Sequence, residues 1–345
     1  MKALVYRGPG QRGWEEMPMP VVQHPTDAVV KVLRTTICGS DLHILKGDVP
    51  SVTPGRILGH EAVGAIESAG AAVSSFKKGD HVIVSCISSC GKCSNCKRGM
   101  PSHCENGGGW ILGNTTDGTQ AEYVRVPFAD TSLYLVPKGT DEDALVMLSD
   151  IFPTGFECGV LNGTVKPGDT VAIVGAGPVG LAALLTAKLY SPSEIIAVDT
   201  DANRLEVAKR LGATQAITSY GAAEKVMELT GRRGVDVAIE AVGVPATFEL
   251  CQEIVAAGGH IANIGVHGKS AQLRLEKLWS HNVTITTRLV DTVTTPMLLK
   301  SVVAGKLQPR QLITHEFRLE QMMKAYDVFA NAAQEKALKV LLRAG

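Results

Sequence analysis

The stretch Thr170–Ala187, TVAIVGAGPVGLAALLTA, decides the fold. Its eighteen residues carry no charge and suggest a membrane span at first sight. Its glycines and proline fit a buried strand, a turn and a helix better: TVAIVGAG enters the turn and PVGLAALLTAKLY leaves it. Gly175, Gly177 and Gly180 then fall in the spacing G-x-G-x-x-G, in the strand–turn–helix context that gives the motif meaning. Gly175 permits the turn, Gly177 lets the backbone approach a pyrophosphate, and Gly180 lets helix pack on strand. The helix N-terminus faces the phosphates.

Nineteen residues after Gly180, Asp199 closes the run EIIAVD, where an adenosine ribose is expected. A carboxylate there accepts from both ribose hydroxyls of NAD and repels the 2′-phosphate of NADP, so NAD is expected over NADP. Arg204, one helical turn on, reaches the adenine side or a phosphate. The expected cofactor contacts are Gly175, Gly177, Pro178, Val179, Gly180, Asp199 and Arg204. From the residues alone, Asp199 also reads as an N-cap of ANRLEVAKRLG.

Outward from this unit, the runs QAIT, VDVAIEAVG, GHIANIG and VTITT continue the strand pattern, with helical stretches separating most of them. Six such strands predict an α/β fold, a doubly wound parallel sheet of Rossmann type over residues 153–290. The first half, residues 1–152, has short strands, frequent Gly and Pro turns and no regular strand–helix alternation, and reads as mostly β. At 345 residues two domains are the default. No repeat and no low-complexity segment interrupts them.

Lys plus Arg and Asp plus Glu number 34 each, so no basic field points to nucleic acid. The opening MKALVYRGPG is no secretory signal. A soluble cytoplasmic protein without a membrane partner is expected, in a compartment that disfavours disulfides.

That expectation shapes the reading of CGKCSNCKRGMPSHC, residues 90–104, which holds four of the chain's eight cysteines. Cys90-x2-Cys93-x2-Cys96-x7-Cys104 can close a tetrahedron of thiolates around a structural zinc. A ferredoxin run would end Cys-x3-Cys-Pro, whereas here the last gap is seven and Glu105 follows. A redox pair would need no third and fourth cysteine. Four closed ligands leave no place for substrate, so the loop holds structure. Upstream, Cys38 in TTICGSDLH and His60 in LGHEAVG are ligand types that zinc takes, although singly each also reads as an ordinary buried residue. Cys158 and Cys251 are read as core.

GHEAVGAIESAGAAVSSFKKGDHVIV, the cysteine loop, DGTQAEYVRVP and VAIVGAGPVGLAA together resemble the zinc-dependent medium-chain alcohol dehydrogenase family. The likeness covers essentially the whole chain. LSDIFPTGFECGV and Trp110 resemble its bacterial secondary-alcohol branch. The resemblance implies a chaperonin-10-like partial barrel for the first domain, a return of residues 291–345 to it, and a hinge near SDIFPTGFECGV. It implies a second, catalytic zinc held by Cys38, His60 and Asp150, making two zinc ions per chain, with Glu61 as an outer or transient ligand. From sequence alone Asp150 reads equally well as an N-cap. The resemblance further implies a proton relay through Ser40 and His43, although alone Ser40 reads as a turn residue and His43 as an exposed histidine. It places Trp110, Cys86, Ile87 and Leu289 on the walls of a pocket for a small alcohol or ketone, and suggests a homotetramer, with dimers also known in the family.

The reaction implied is hydride transfer between a secondary alcohol or ketone and NAD(H), with zinc as Lewis acid. The rivals are a polyol or diol dehydrogenase of the same family, a zinc-free quinone or enoyl reductase, and a non-enzymatic zinc-binding module. The last fits poorly with neutral charge and a nucleotide fingerprint.

Overall fold

The computed structural model describes residues 1–345, which form two compact units: Met1–Asp150 with Asp291–Gly345, and Ile151–Val290. The first boundary falls at Asp150, two residues before the expected 152.

The first unit is mostly β. Its strands are β1 (Lys2–Gly8), β2 (Gln11–Glu16), β3 (Ala28–Thr36), β4 (Ala62–Ala69), β5 (His81–Val84), β6 (Tyr123–Val126) and β7 (Leu133–Leu135). The second unit contributes β8 (Thr170–Val174), β9 (Glu194–Asp199), β10 (Gln215–Thr218), β11 (Val235–Glu240), β12 (Val255–Asn263) and β13 (Thr284–Thr287). β14 (Ile313–Arg318) and β15 (Lys339–Arg343) belong again to the first unit.

In the first unit the main sheet runs β14-β15-β3-β4-β5-β7, with β6 also on β3, and β1 and β2 form a separate hairpin. β15 lies antiparallel to β3, pairing Leu341 with Thr36 and Arg343 with Arg34. The tail of the chain is thereby the neighbour of the strand that leads into Cys38. One core packs Leu4, Ile37, Ile44 and Leu58 against Tyr326 and Leu342. Each such apolar side chain contributes about 1.5–3 kcal/mol relative to exposure.

In the second unit the sheet order is β10-β9-β8-β11-β12-β13, all parallel. VAIV, IIAV and VAI are buried on both faces, which is why these strands read as unbroken apolar runs. β8 leads into the helix Pro178–Ala187 across the glycine turn. Gly175 has φ 106°, and a Cβ on Gly180 would strike the Gly175 carbonyl oxygen. SDIFPTGFECGV forms an α-helical turn, Ile151–Thr154, followed by a π-helical segment, Gly155–Leu161. No single helix is long and apolar enough to cross a membrane.

Candidate metal centres and cofactor crevice

Two clusters in the first unit bring metal-ligating atoms within 4.8 Å of one another: Cys38, His60, Glu61 and Asp150, and Cys90, Cys93, Cys96 and Cys104.

The first is assembled from three loops. Cys38 is the N-cap of the helix Gly39–Lys46, and its backbone N–H donates to Asp41 Oδ2 at 2.9 Å. Asp41 also accepts from Gln120 Nε2 at 2.9 Å, and Gln120 accepts from the Tyr326 hydroxyl at 2.7 Å. This buried chain fixes the loop that carries Cys38. His60, 3 % exposed, follows Gly59, whose φ is 93°, and leads into β4. Asp150 ends the first unit's leading segment.

The donor atoms converge. Asp150 Oδ2 lies 3.2 Å from His60 Nε2 and 3.6 Å from Cys38 Sγ. Ser40 Oγ is 3.5 Å from the same imidazole nitrogen, and Cys86 Sγ donates to the other Asp150 oxygen at 3.6 Å. Trp110 stands edge-on to His60 at 5.9 Å. Burial opposes a charge on His60, but Asp150 and Cys38 beside it push its pKa well up. Burial, reinforced by Asp150 and Glu61, pushes the Cys86 thiol well up.

The set fits a divalent cation. One thiol and one carboxylate, both half-buried, meet a buried carboxylate and imidazole beside a single ammonium, Lys339, which is engaged by Glu61. Glu61 Oε1 and His60 Nδ1 are buried without a partner. Crowded negative charge of this kind needs a compensating cation, and Cys, His and carboxylate are zinc's donors.

The cysteine cluster is likewise organised for metal. Backbone N–H groups of Cys96 and Glu105 donate to Cys93 Sγ at 3.5 and 3.4 Å, and that of Cys90 donates to Cys104 Sγ at 3.3 Å. Asn106 Nδ2 donates to Cys90 Sγ at 3.2 Å. Burial opposes the Cys90 thiolate, but the amides of Lys92 and Cys93 outweigh it and lower the pKa to about 6. Burial and the neighbouring Cys93 push Cys96 up to about 12. Four thiolates cannot coexist here without a cation to share their charge.

The remaining expected residues separate by place. His43 is at the surface, its Nδ1 2.9 Å from Asp48 Oδ2. Ile87 lines a small cavity of about 160 Å³ beside the cysteine loop, with Ser89, Cys96 and Tyr134. Leu289 belongs to the second unit and is 43 % exposed. Cys158 and Cys251 are buried, as core residues should be.

In the second unit, Gly177 caps the helix Pro178–Ala187 with no side chain over its first amides. A Cβ there would meet only Arg204 Nη1, at 3.8 Å, and Arg204 Nε is buried without a partner. Open backbone amides and a guanidinium make a cradle that fits a pyrophosphate. Asp199 accepts from the backbone N–H of Ala176 at 2.7 Å and of Asp201 at 2.8 Å. The N-cap of the following helix is Asp201, which accepts from Asn203 N–H at 2.8 Å. Asp199 is therefore not spent on capping. Lys339, Asn106 and the Gln120–Asp41 chain carry no spacing signal and were not legible in the sequence.

Comparison with known proteins places these features in one family. Residues 24–138 match the family described as "Alcohol dehydrogenase GroES-like domain", and residues 178–302 match "Zinc-binding dehydrogenase". An alcohol dehydrogenase of Cupriavidus necator is 36 % identical over 99 % of this chain and 98 % of its own. A "Probable NADP-dependent isopropanol dehydrogenase" of Mycoplasma pneumoniae is 32 % identical over 92 % of this chain and 93 % of its own. The solved apo structure of zinc dependent alcohol dehydrogenase 2 from Streptococcus pneumonia superimposes with TM-score 0.96 at 52 % identity, covering 100 % of this chain and 98 % of that one. The chain belongs to the zinc-type alcohol dehydrogenases, with a GroES-like catalytic domain and a Rossmann-like parallel sheet.

Proposed function

We propose that this protein interconverts small secondary alcohols and ketones by hydride transfer with NAD(H), holding a catalytic zinc on Cys38, His60 and Asp150 and a structural zinc on the four-cysteine loop. The convergence of half-buried Cys38 and Asp150 on buried His60 in one cluster carries the reading. When bound there, zinc supplies Lewis-acid polarisation of an alcohol or carbonyl oxygen.

The chain's own residues supply the rest. Ser40, beside His60, accepts the alcohol proton as it releases its own hydroxyl proton toward His43, which is partly exposed and gives a proton up to solvent. Trp110, edge-on to His60, and buried Cys86 narrow the space beside the ligands and favour compact apolar substituents. The isopropanol activity in the name of the Mycoplasma pneumoniae relative supports this substrate class. Asp199 supports NAD over NADP, although that same relative is named for NADP. A homotetramer in the cytoplasm is the setting we expect from the family.

The test is a steady-state assay of zinc-loaded protein with propan-2-ol, propan-1-ol and butane-2,3-diol, each with NAD and NADP. The expected order of kcat/KM places propan-2-ol with NAD first. A diol preferred over both monoalcohols would replace the secondary-alcohol assignment.

A further inference from the structure

The second unit holds a buried carboxylate used neither by the metal clusters nor by the glycine turn. Glu240, the last residue of β11, is fully buried. A carboxylate removed from water needs several partners. Oε1 accepts from the backbone N–H groups of Val242 and Gly243 at 2.9 and 2.8 Å and from Thr247 Oγ1 at 2.6 Å. The main-chain oxygen of Glu240 accepts from Ile264 and Gly265 N–H at 2.8 and 3.2 Å. Oε2 makes none of these bonds and faces His267 Nε2 at 3.6 Å. One residue thus joins the loop leaving β11 to the loop leaving β12.

The two loops interlock without room for side chains. A Cβ on Gly265 would strike Gly243 N and Glu240 Oε2, and a Cβ on Gly243 would strike the Val266 backbone. A Cβ on Gly175, in the glycine turn, would meet Val242 Cγ2 at 2.5 Å. All of this lies at the carboxyl edge of the sheet. β8 and β11 are neighbours there, while the chain winds outward through β9 and β10 before crossing to β11. Ligands of open α/β sheets bind outside the strands at such a reversal. The loops leave Val242 and Val266 45 % and 70 % exposed at that rim.

His267 is set from its other side. Its Nε2 is 2.9 Å from Asn263 Oδ1, its ring is edge-on to Phe248 at 6.1 Å, and Asn263 Nδ2 donates to the Gly265 carbonyl at 3.0 Å. With the proton on Nε2, the N–H points between the Asn263 and Glu240 oxygens.

We propose that Glu240 and His267 are the positioning pair of the dinucleotide crevice: their contact fixes the loops bearing Val242 and Val266 in the shape that receives the cofactor, and neither residue takes part in hydride transfer. This rests on reading the second unit as dinucleotide-binding.

The test uses the full-length, zinc-loaded protein and titrates NADH and NADPH by nicotinamide fluorescence, alongside kinetics and thermal unfolding. Glu240→Gln keeps the Oε1 acceptor but turns an amide donor toward the Nε2–H of His267. It is expected to weaken dinucleotide binding about tenfold, the loss appearing in KM for the dinucleotide more than in kcat. His267→Ala, a truncation at a side chain 19 % exposed, is expected to weaken binding comparably. The double variant should be no worse than Glu240→Gln alone, because paired residues are not additive. His267→Gln, which retains a donor, should recover most of the loss. His267→Ala binding within about twofold of wild type, or losses that add, would overturn the pairing. Wild-type protein that binds neither dinucleotide would instead overturn the reading beneath it, and this assignment with it.

Discussion

Lys339 Nζ stands 2.6 Å from Glu61 Oε2, with both side chains 1 % exposed, and donates a second bond to the Ile37 carbonyl at 3.1 Å. Ile37 precedes Cys38 and Glu61 follows His60, so one ammonium ties together the two segments that carry candidate metal ligands. Burial works against that ammonium, but Glu61, Cys38 and Asp150 hold its pKa above the ordinary value.

Lys339→Met should leave Glu61 buried and unpaired. Breaking one side of a buried ion pair costs about 3–5 kcal/mol. The double change Lys339→Met with Glu61→Gln should recover part of this, since no lone charge remains. Urea denaturation of the zinc-free proteins reads both; equal stability of Lys339→Met and wild type would contradict the prediction.

The two metal clusters predict unequal losses. Cys93→Ser should lower stability, because three thiolates hold the loop less tightly than four. Cys38→Ser should abolish turnover and spare the fold. Elemental analysis of the fully loaded wild-type protein should return two zinc ions per chain, and a value of one would refute the pairing of roles.

Ser40 Oγ lies 3.5 Å from His60 Nε2, whereas His43 is bonded to Asp48 at the surface. Ser40→Ala is expected to reduce alcohol oxidation by orders of magnitude. His43→Ala should act mildly, because water substitutes at an exposed position. Unimpaired turnover of Ser40→Ala across neutral pH would remove Ser40 from the relay.

Asp199→Gly should raise kcat/KM with NADP and lower it with NAD, since repulsion of a 2′-phosphate costs on the order of several kcal/mol in a partly desolvated site. The bond from Ala176 N–H to Asp199 means the substitution also loosens the glycine turn, so the NAD loss should exceed the NADP gain. Side-by-side kinetics decide it: wild-type protein more efficient with NADP would overturn the assignment.

Asp143 gives the pH prediction. Arg34 Nε and Arg343 Nη2 each lie 2.5 Å from its carboxylate, and Arg310 Nη1 lies 2.9 Å away. Burial opposes ionisation, but Arg343, Arg310 and Arg34 outweigh it and hold the pKa well below the usual carboxylate range. A depressed folded-state pKa stabilises the protein above the unfolded value of about 4 and loses that contribution as pH falls toward the folded value. Asp143→Asn should therefore cost about 1.5–3 kcal/mol at neutral pH and flatten the acid limb of stability below about pH 4. Denaturation midpoints across pH 3 to 7, set as roughly the titration window, measure it; parallel curves for the two proteins would contradict the prediction.

What could be read from sequence was local. Gly175, Gly177 and Gly180 sit within six residues, from the turn into the helix it opens, and Cys90 to Cys104 within one loop, so their spacing carries the geometry. Asp199 was legible as a strand end, but only the structure separates it from Asp201, the residue that caps the helix. Lys339 and Glu61 are 278 residues apart, and Arg343 and Asp143 are 200 apart. No periodicity links such pairs, because strand pairing at the chain's return brings them together. Glu240 and His267 are closer in sequence, yet their contact depends on two loops leaving neighbouring parallel strands.

The antiparallel placement of β15 on β3 has a consequence for how the molecule is made. The segment Ile151–Val290 is continuous and can collapse as soon as it leaves the ribosome. The first unit cannot, because Lys339 and Arg343 are translated long after the residues they neutralise. At roughly 5–20 residues per second, Glu61 waits on the order of 15–55 s for its counter-ion. Through that interval the Cys38 and His60 segments lack this clamp, so the cluster they form with Asp150 is completed late in synthesis. The four-cysteine loop needs no such partner: its candidate ligands are complete within fifteen residues and can come together early.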